Sequence, residues 1–343
     1  MIKILYLGSS NDAKSAVDRR RFMHFSALIP EAKVYLNEEA GVKFDILVCS
    51  LGGDVAKAKR LSSSIPKFVF DYTNHYLVEK SWFKNAFRNI AGSIFSNKEY
   101  CFQSYKNTIL ELMTRADLII CPSITQKNFL KELGYDSYQL TDFFESEVNS
   151  AKLRFSGDGS LFWEGQGVNI PQLTRIASPQ FKENNYLMRV VSDEKFGVLG
   201  GRVLTKSSKA FCEGVFPSLD FLPWSMDNVN ESAKKASLGI IPLDLSDDFI
   251  VAKPENKLIY MWLLGLPVLC SPTESYCELE EKVGVKFTCR GIDDWEKSID
   301  KWLCNEGYRA GMARYFHNFA VTNYSDQVLM TRWLNAFKSE NIL

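Results

Sequence analysis

The chain lacks the usual signatures of a metalloprotein. Its three histidines, His24, His75 and His317, lie far apart and show no metal-ligand spacing. It has eight cysteines, none in a C-x-x-C pair, which speaks against a zinc site. Cys49, Cys121 and Cys270 sit in apolar runs, where a thiol behaves as a small hydrophobe, a usage that fits a reducing cytoplasm. Charge of one sign is missing too: 41 basic residues balance 41 acidic ones, so the chain is not built chiefly to bind nucleic acid. No apolar run approaches the ~20 residues that span a bilayer. The opening MIKILYLG is too short for a signal-peptide core and reads as a first strand, so the expected location is cytoplasmic. Neither candidate glycine loop carries G-x-G-x-x-G, which argues against a nicotinamide oxidoreductase. Repeats and low-complexity tracts are also missing.

What is there is an alternation of short apolar runs with helical patterns over 343 residues, more than one ordinary core supports. The first half reads as strands at 2–7, 33–36, 44–49, 66–70 and 117–121, with helices at 18–28 and 125–133. The helix at 18–28 opens on three arginines, Arg19, Arg20 and Arg21. Near residue 150 the composition turns polar, and SGDG at 156–159 reads as a linker turn. A second alternation follows, with strands at 186–192, 219–222, 238–242, 268–270 and 285–288 and helices at 293–303 and 325–338. The expected class is α/β: two Rossmann-like, doubly wound domains over 1–150 and 151–324, with 325–343 as a C-terminal helix. Between the fourth and fifth strands, residues 79–106 mix Trp82, Phe83 and Phe87 with Lys80, Lys84 and Arg88. That pattern suits peripheral contact with an anionic membrane surface, or equally a helix pair covering the sheet.

The chain is organised around residues 253–272. Lys253 and Pro254 stand at a helix start, where a missing N–H costs nothing. The helix that follows is apolar on most sides and is expected to be buried. Gly265 ends it, and Pro267 prevents its return before a short strand at 268–270. Asn256 and Lys257 fall in the first turn, where free N–H groups and the helix dipole attract an anion. An ordinary surface lysine is the bland alternative.

Ligands of open α/β sheets bind at the carboxyl ends of the strands. Those loops hold Gly8 and Ser9, Gly52 to Asp54, Asp71 to His75, Glu164 to Gln166, and Pro223 with Trp224. Several of these segments resemble GT-B glycosyltransferases, most closely the large family (family 4, group 1) that includes bacterial polysaccharide-building enzymes. ADLIICPS at 116–123 resembles the family's last amino-terminal βα unit. FWEGQ at 162–166 resembles the strand and loop, with Gly165, that open its nucleotide-binding domain. FLPW at 221–224, a helix and ASLGIIPL at 236–243 resemble the unit that holds the base, and GLPVL at 265–269 the strand after the donor helix.

The resemblance implies a fold whose two domains face a cleft, with the C-terminal helix crossing back to the first domain. It implies transfer of a sugar from a nucleotide sugar, expected to be a UDP-sugar, to a glycan or lipid-linked acceptor in surface polysaccharide synthesis. No metal and no further cofactor are expected. Asn256 and Lys257 would meet the diphosphate, with Lys253 nearby. Pro223 and Trp224 would line the base pocket, although Trp224 also reads as a core tryptophan. Gly8 and Ser9 would approach the phosphates, and Asp71, or else His75, would serve as the acceptor base. The sequence departs from the family at its paired glutamates, whose positions hold Ala252 and Tyr260. Asp247, Asp248 and Glu274 are candidate replacements for the ribose contact. A sugar-nucleotide epimerase and a non-catalytic sugar-binding module are the alternative readings.

Overall fold

Six parallel strands form the first sheet: β1 (Ile2–Leu7), β2 (Ala32–Tyr35), β3 (Ile46–Ser50), β4 (Lys67–Asp71), β5 (Leu118–Cys121) and β6 (Tyr138–Gln139). Their order is β2-β1-β3-β4-β5-β6, so the chain reverses direction across the sheet between β1 and β3. The structure, a computed structural model, describes residues 1–78, 98–99, 103–144, 148, 155–198 and 204–343. The proposed membrane-contact stretch, 79–106, therefore lies largely outside the described residues. Among those that are described, no helix is long and apolar enough to cross a membrane.

The chain divides into two compact units. Unit 1 comprises 1–143, 252–254 and 326–343. Its inner strands β3, β4 and β5 are buried on both faces, hence the unbroken apolar runs in the sequence. One face packs Leu47, Phe68 and Ile119 against α3 (Val55–Leu61), α4 (Tyr105–Arg115) and α5 (Ile124–Glu132). On the same unit, α1 (Ala16–Arg20) and α2 (Phe22–Ala27) meet the C-terminal helix Asp326–Ser339. The Phe25 ring lies 5.1 Å from Trp333 and 4.8 Å from Phe337, and Tyr6 lies 5.0 Å from Phe22. Aromatic burial of this kind makes the last helix part of the first unit, as the family resemblance implies.

The helix expected over 18–28 is broken in two. Arg21, at φ −121° and ψ −110°, separates α1 from α2. Its side chain is buried rather than lying on a basic surface, because it serves an ion-pair network described below.

Unit 2 comprises 144–251 and 255–325. Its sheet is parallel throughout, in the order β11-β8-β7-β12-β13. The strands are β7 (Leu161–Gly165), β8 (Met188–Ser192), β11 (Leu219–Pro223), β12 (Leu238–Ile241) and β13 (Val268–Cys270). An antiparallel hairpin of β9 (Lys195–Val198) and β10 (Leu204–Ser207), unforeseen in the sequence, follows β8. The helices are α6 (Pro179–Glu183), α7 (Ser208–Val215), α8 (Met226–Lys235), α9 (Asp248–Val251), α10 (Asn256–Leu263), α11 (Glu274–Val283), α12 (Ile292–Cys304) and α13 (Glu306–Tyr324).

The central helix α10 is buried from Leu258 onward, as its all-round apolar pattern requires. Trp262 stacks on Phe316 of α13 at 4.6 Å and meets Phe287 edge-on at 5.4 Å. Gly265, at φ +76°, ends the helix. Its N–H bonds to Trp262 O and that of Leu266 to Met261 O, the paired bonds of a Schellman cap. The strand expected at 285–288 is reduced to one bridge between Cys270 and Thr288. The Glu280 carboxylate takes the N–H groups of Phe287 and Thr288 (2.9 and 2.7 Å), leaving little backbone for a ladder.

Candidate functional site

In unit 2 the carboxyl ends of three adjacent strands are tied to one another. Ser192 Oγ donates to Gly165 O at 2.7 Å, and Trp224 N donates to Ser192 O at 2.8 Å. The loop after β7 is held by Gly167 N donating to Asp193 Oδ2 at 2.8 Å. These bonds fix the rim that faces the first turn of α10 within the same unit.

Lys257 reaches back from that turn to the end of β7. Its Nζ donates to Glu164 O, lies 3.6 Å from Glu164 Oε1, and sits 4.9 Å above the centre of the Trp163 ring. Gly165 is needed there: a Cβ would come within 2.9 Å of Lys257 Nζ and 3.0 Å of the Trp163 ring. Asn256 Oδ1 is buried with no hydrogen-bond partner among the described residues. The side chain of the N-cap residue, Glu255, does not cap the helix, so first-turn N–H groups point outward from the end of α10. An ammonium, backbone donors and an uncapped helix start are suited to bind an anion.

Trp224 is 42 % exposed, so the core reading of this side chain does not hold. It follows Pro223 on the loop between β11 and α8, where Asn228 Nδ2 donates to Pro223 O at 2.8 Å. Tyr260, at the position of the family's second glutamate, is buried with its hydroxyl 3.1 Å from Met226 Sδ. Asp247 is occupied locally, accepting from Phe249 N at 2.9 Å, and Glu274 starts α11 as an exposed residue.

In unit 1, Gly8 and Ser9 lie in the loop after β1, and that loop is organised by a residue the sequence reading passed over. Asp18 is fully buried and accepts from Tyr6 OH (2.6 Å), Ser9 N (2.7 Å), Ser10 N (2.9 Å) and Ser15 Oγ (2.7 Å). The signal was present as S-x-x-D from Ser15 to Asp18, a helix-start box. Burial, then the Asp18 charge, push the Tyr6 phenol far above its usual range, so it stays a donor. Across the reversal point, Gly52 and Gly53 allow the loop after β3 to touch this one. A Cβ on Gly53 would fall 2.2 Å from Leu7 O, and one on Gly52 2.4 Å from Ser9 Oγ.

Asp71 ends β4 as expected but is not poised as a base. It is 1 % exposed, and its two oxygens accept from Arg21 Nη2 at 2.7 Å and Nε at 2.8 Å. Arg21 Nη1 also donates to Leu140 O (2.8 Å) and Asp142 (3.0 Å). Burial alone would lower the Arg21 pKa; Asp71 and then Asp142 outweigh it and keep the guanidinium charged. Burial raises the Asp142 carboxyl above the usual aspartate range, with Arg21 opposing. His75 is buried too, with Phe129 edge-on at 4.6 Å and Tyr72 OH 3.4 Å from Nδ1. Lys253 groups with unit 1, in a short segment where Ala252 O accepts from Ser123 Oγ at 2.8 Å.

No family model matches the sequence, and no curated protein matches it either. In three dimensions it is similar to TarM, with 12% identity and a TM-score of 0.61, covering 85% of this chain and 54% of TarM. The chain thus spans about half the length of that protein. HepE from Anabaena in complex with UDP shares 13% identity at a TM-score of 0.58, covering 98% of this chain and 99% of HepE. A glycosyltransferase from Rickettsia africae shares 10% identity at a TM-score of 0.64, covering 99% of this chain and 98% of its own. At such identities the likeness is one of fold, and the fold of this chain is GT-B, the two-unit Rossmann-like architecture of those glycosyltransferases.

Proposed function

We propose that the chain is a glycosyltransferase that takes a nucleotide sugar, a UDP-sugar, in unit 2 and passes the sugar to a glycan or lipid-linked hydroxyl. One observation carries the reading: Lys257 and the uncapped start of α10 converge with Gly165 on the end of β7. Glycosyl transfer builds charge on a departing diphosphate, and a preorganised ammonium beside helix N–H groups stabilises that charge more in the transition state than in the ground state. Trp224, exposed on the adjacent loop, offers a flat face for the base. The GT-B neighbours support the nucleotide choice, since HepE is known in complex with UDP and with UDP-glucose. Surface-polysaccharide assembly as the setting rests on the resemblance of the sequence segments and on a neighbour, WaaG, involved in lipopolysaccharide biosynthesis.

Among the described residues no group of His, Cys, Asp and Glu is arranged to hold a metal ion, and we assign the leaving-group charge to Lys257 and the helix start. Asp71 is assigned a supporting role, because its oxygens are taken by Arg21.

Calorimetry with UDP, GDP, ADP and CMP tests the proposal. UDP is expected to bind, and Lys257→Ala to abolish that binding while the protein stays folded. Binding of none of the four nucleotides, or unaltered UDP binding in the variant, would overturn it. Incubation with a radiolabelled UDP-sugar and a glycan panel separates transfer, which labels glycan, from epimerisation, which leaves all label on the nucleotide sugar.

A further inference from the structure

Arg21 holds two carboxylates, and it does not hold them equally. Asp71 accepts from Nε at 2.8 Å and from Nη2 at 2.7 Å, one bond to each oxygen. Asp142 accepts from Nη1 alone, through Oδ1 at 3.0 Å. Its Oδ2 accepts no hydrogen bond among the described residues. The Asp142 side chain is also 11 % exposed, where that of Asp71 is 2 %. An ionised carboxylate only accepts, so Asp142 keeps an oxygen ready for a donor and Asp71 does not.

The backbone fixes where Asp142 stands. Leu140 N donates to O of Cys121, the last residue of β5, at 2.9 Å, and Phe143 N donates to Arg20 O at 2.7 Å. Thr141 and Asp142 lie between these two bonds. The Thr141 hydroxyl is buried and makes no hydrogen bond among the described residues. This is the carboxyl end of the sheet, where open α/β sheets take their ligands.

One guanidinium facing two carboxylates leaves one negative charge over. Asp71 has the shorter, paired contacts, so the surplus falls on Asp142. Burial raises the Asp142 carboxyl above the usual aspartate range; Arg21 and Arg20 oppose the rise, and Asp71 adds to it. A carboxylate raised toward the working pH is suited to take up a proton and give it back.

We infer that Asp142, rather than Asp71, takes the proton of the acceptor hydroxyl, with Arg21 and Asp71 as its positioning residues. The inference rests on the glycosyltransferase reading and names the acceptor-activating group for it. The hydroxyl oxygen bonds to the anomeric carbon of the donor sugar as its proton passes to Asp142 Oδ2. The bond from that carbon to the diphosphate oxygen breaks, and its electron pair leaves with UDP. Asp142 then returns the proton to solvent.

The test is transfer from a radiolabelled UDP-sugar to the glycan panel, followed from neutral to acidic pH. Asp142→Asn is expected to lower kcat by about 10²-fold or more and to remove the acid limb of the rate profile. Asp142→Glu should restore part of the rate. The Arg21–Asp71 pair is intact in both variants, so the fold and the UDP affinity should be unchanged. Asp71→Asn supplies a readout that a purely structural role would not move. Without the Asp71 charge, Arg21 neutralises Asp142 more fully, and the acid limb should shift to lower pH. Wild-type kcat in Asp142→Asn, an acid limb that persists in that variant, or an unshifted limb in Asp71→Asn would each overturn the inference. Amidation of the native chain with a carbodiimide and glycine ethyl ester, read by peptide mass spectrometry, checks it without turnover. Asp142 should be modified and Asp71 spared; modification of Asp71 in preference to Asp142 would overturn the inference. UDP binding with no transfer by the wild-type chain would instead count against the proposed function, and the amidation result stands apart from it.

Discussion

Arg21 and Asp71 form a two-point ion pair in the interior of unit 1, at 2.7 and 2.8 Å, with both side chains 2 % exposed. Fifty residues separate them in sequence, and the pair joins the break between α1 and α2 to the end of β4. Removing one partner from such a pair leaves a charge in a medium that cannot solvate it, which costs about 3–5 kcal/mol. Arg21→Met is expected to be harsher than Asp71→Asn. The arginine variant strands two carboxylates, Asp71 and Asp142, whereas the asparagine variant leaves Arg21 with Asp142 and Leu140 O. Thermal unfolding of both variants measures the order.

The same network fixes a pH dependence. Without Arg21, the buried Asp142 carboxyl keeps the burial that raises it and loses the charge that opposes the rise, so its folded-state pKa lies above the unfolded one and the folded variant holds more protons. Burial already raises Asp142 in the wild type. The penalty in Arg21→Met is therefore present at neutral pH and relieved as pH falls through the raised Asp142 value. We expect its melting temperature to approach that of wild type as pH falls from neutral; a gap that stays constant on acidification would contradict the assignment.

Gly165 tests the donor arrangement without touching a charge. Alanine there places a methyl group 2.9 Å from Lys257 Nζ and 3.0 Å from the Trp163 ring. The lysine tip is flexible and moves, so Nζ is expected to leave the end of β7, while the buried Trp163 ring must give by a few tenths of an ångström. Displacement of a catalytic group by about 1 Å costs on the order of 10²-fold in rate. Gly165→Ala should therefore lower kcat/KM strongly, together with a fall in melting temperature from the strained backbone and the buried Trp163 ring.

Gly53→Ala should act on stability alone. The added Cβ would meet Leu7 O, a backbone atom at the end of β1, at 2.2 Å. Backbone cannot swing aside as a lysine tip can, and overpacking of this kind costs roughly 1–3 kcal/mol or more. A fall in melting temperature with unchanged UDP affinity is the expected result.

The alternation of the chain was readable because parallel strands covered on both sides must be apolar throughout. The runs at 66–70 and 268–270 announce β4 and β13 almost to the residue. The Gly265 stop was readable for a similar reason: only a residue tolerant of positive φ ends a helix in that way. Arg21 was not readable, because three arginines in a row look like a surface and only the end of β4 shows which of them turns inward. Asp71 was misjudged from the same ignorance, since an aspartate ending a strand looks free until its arginine is known. Asp18 was overlooked because its donors come mostly from loop backbone and serines, groups with no sequence pattern of their own beyond the S-x-x-D box. Polar partners across long separations are set by tertiary contact, and local periodicity carries no trace of them.

The thiols give a check on the fold that is independent of activity. Cys49, Cys121, Cys212, Cys270 and Cys289 are buried, and Cys304 is exposed at the end of α12. Burial pushes Cys121 up to about 11 and Cys212 and Cys289 up to about 12. The thiolate is the reactive form, so at pH 8 these three are almost wholly unreactive even where a reagent can reach them. Alkylation of the native protein followed by peptide mass spectrometry should label Cys304 first and leave the five buried sites untouched. All should react once the chain is unfolded in denaturant, where burial no longer opposes ionisation. Rapid labelling of Cys121 or Cys270 in the native protein would mean that β5 or β13 is not the interior strand described, and the sites built on the ends of both sheets would fall with it.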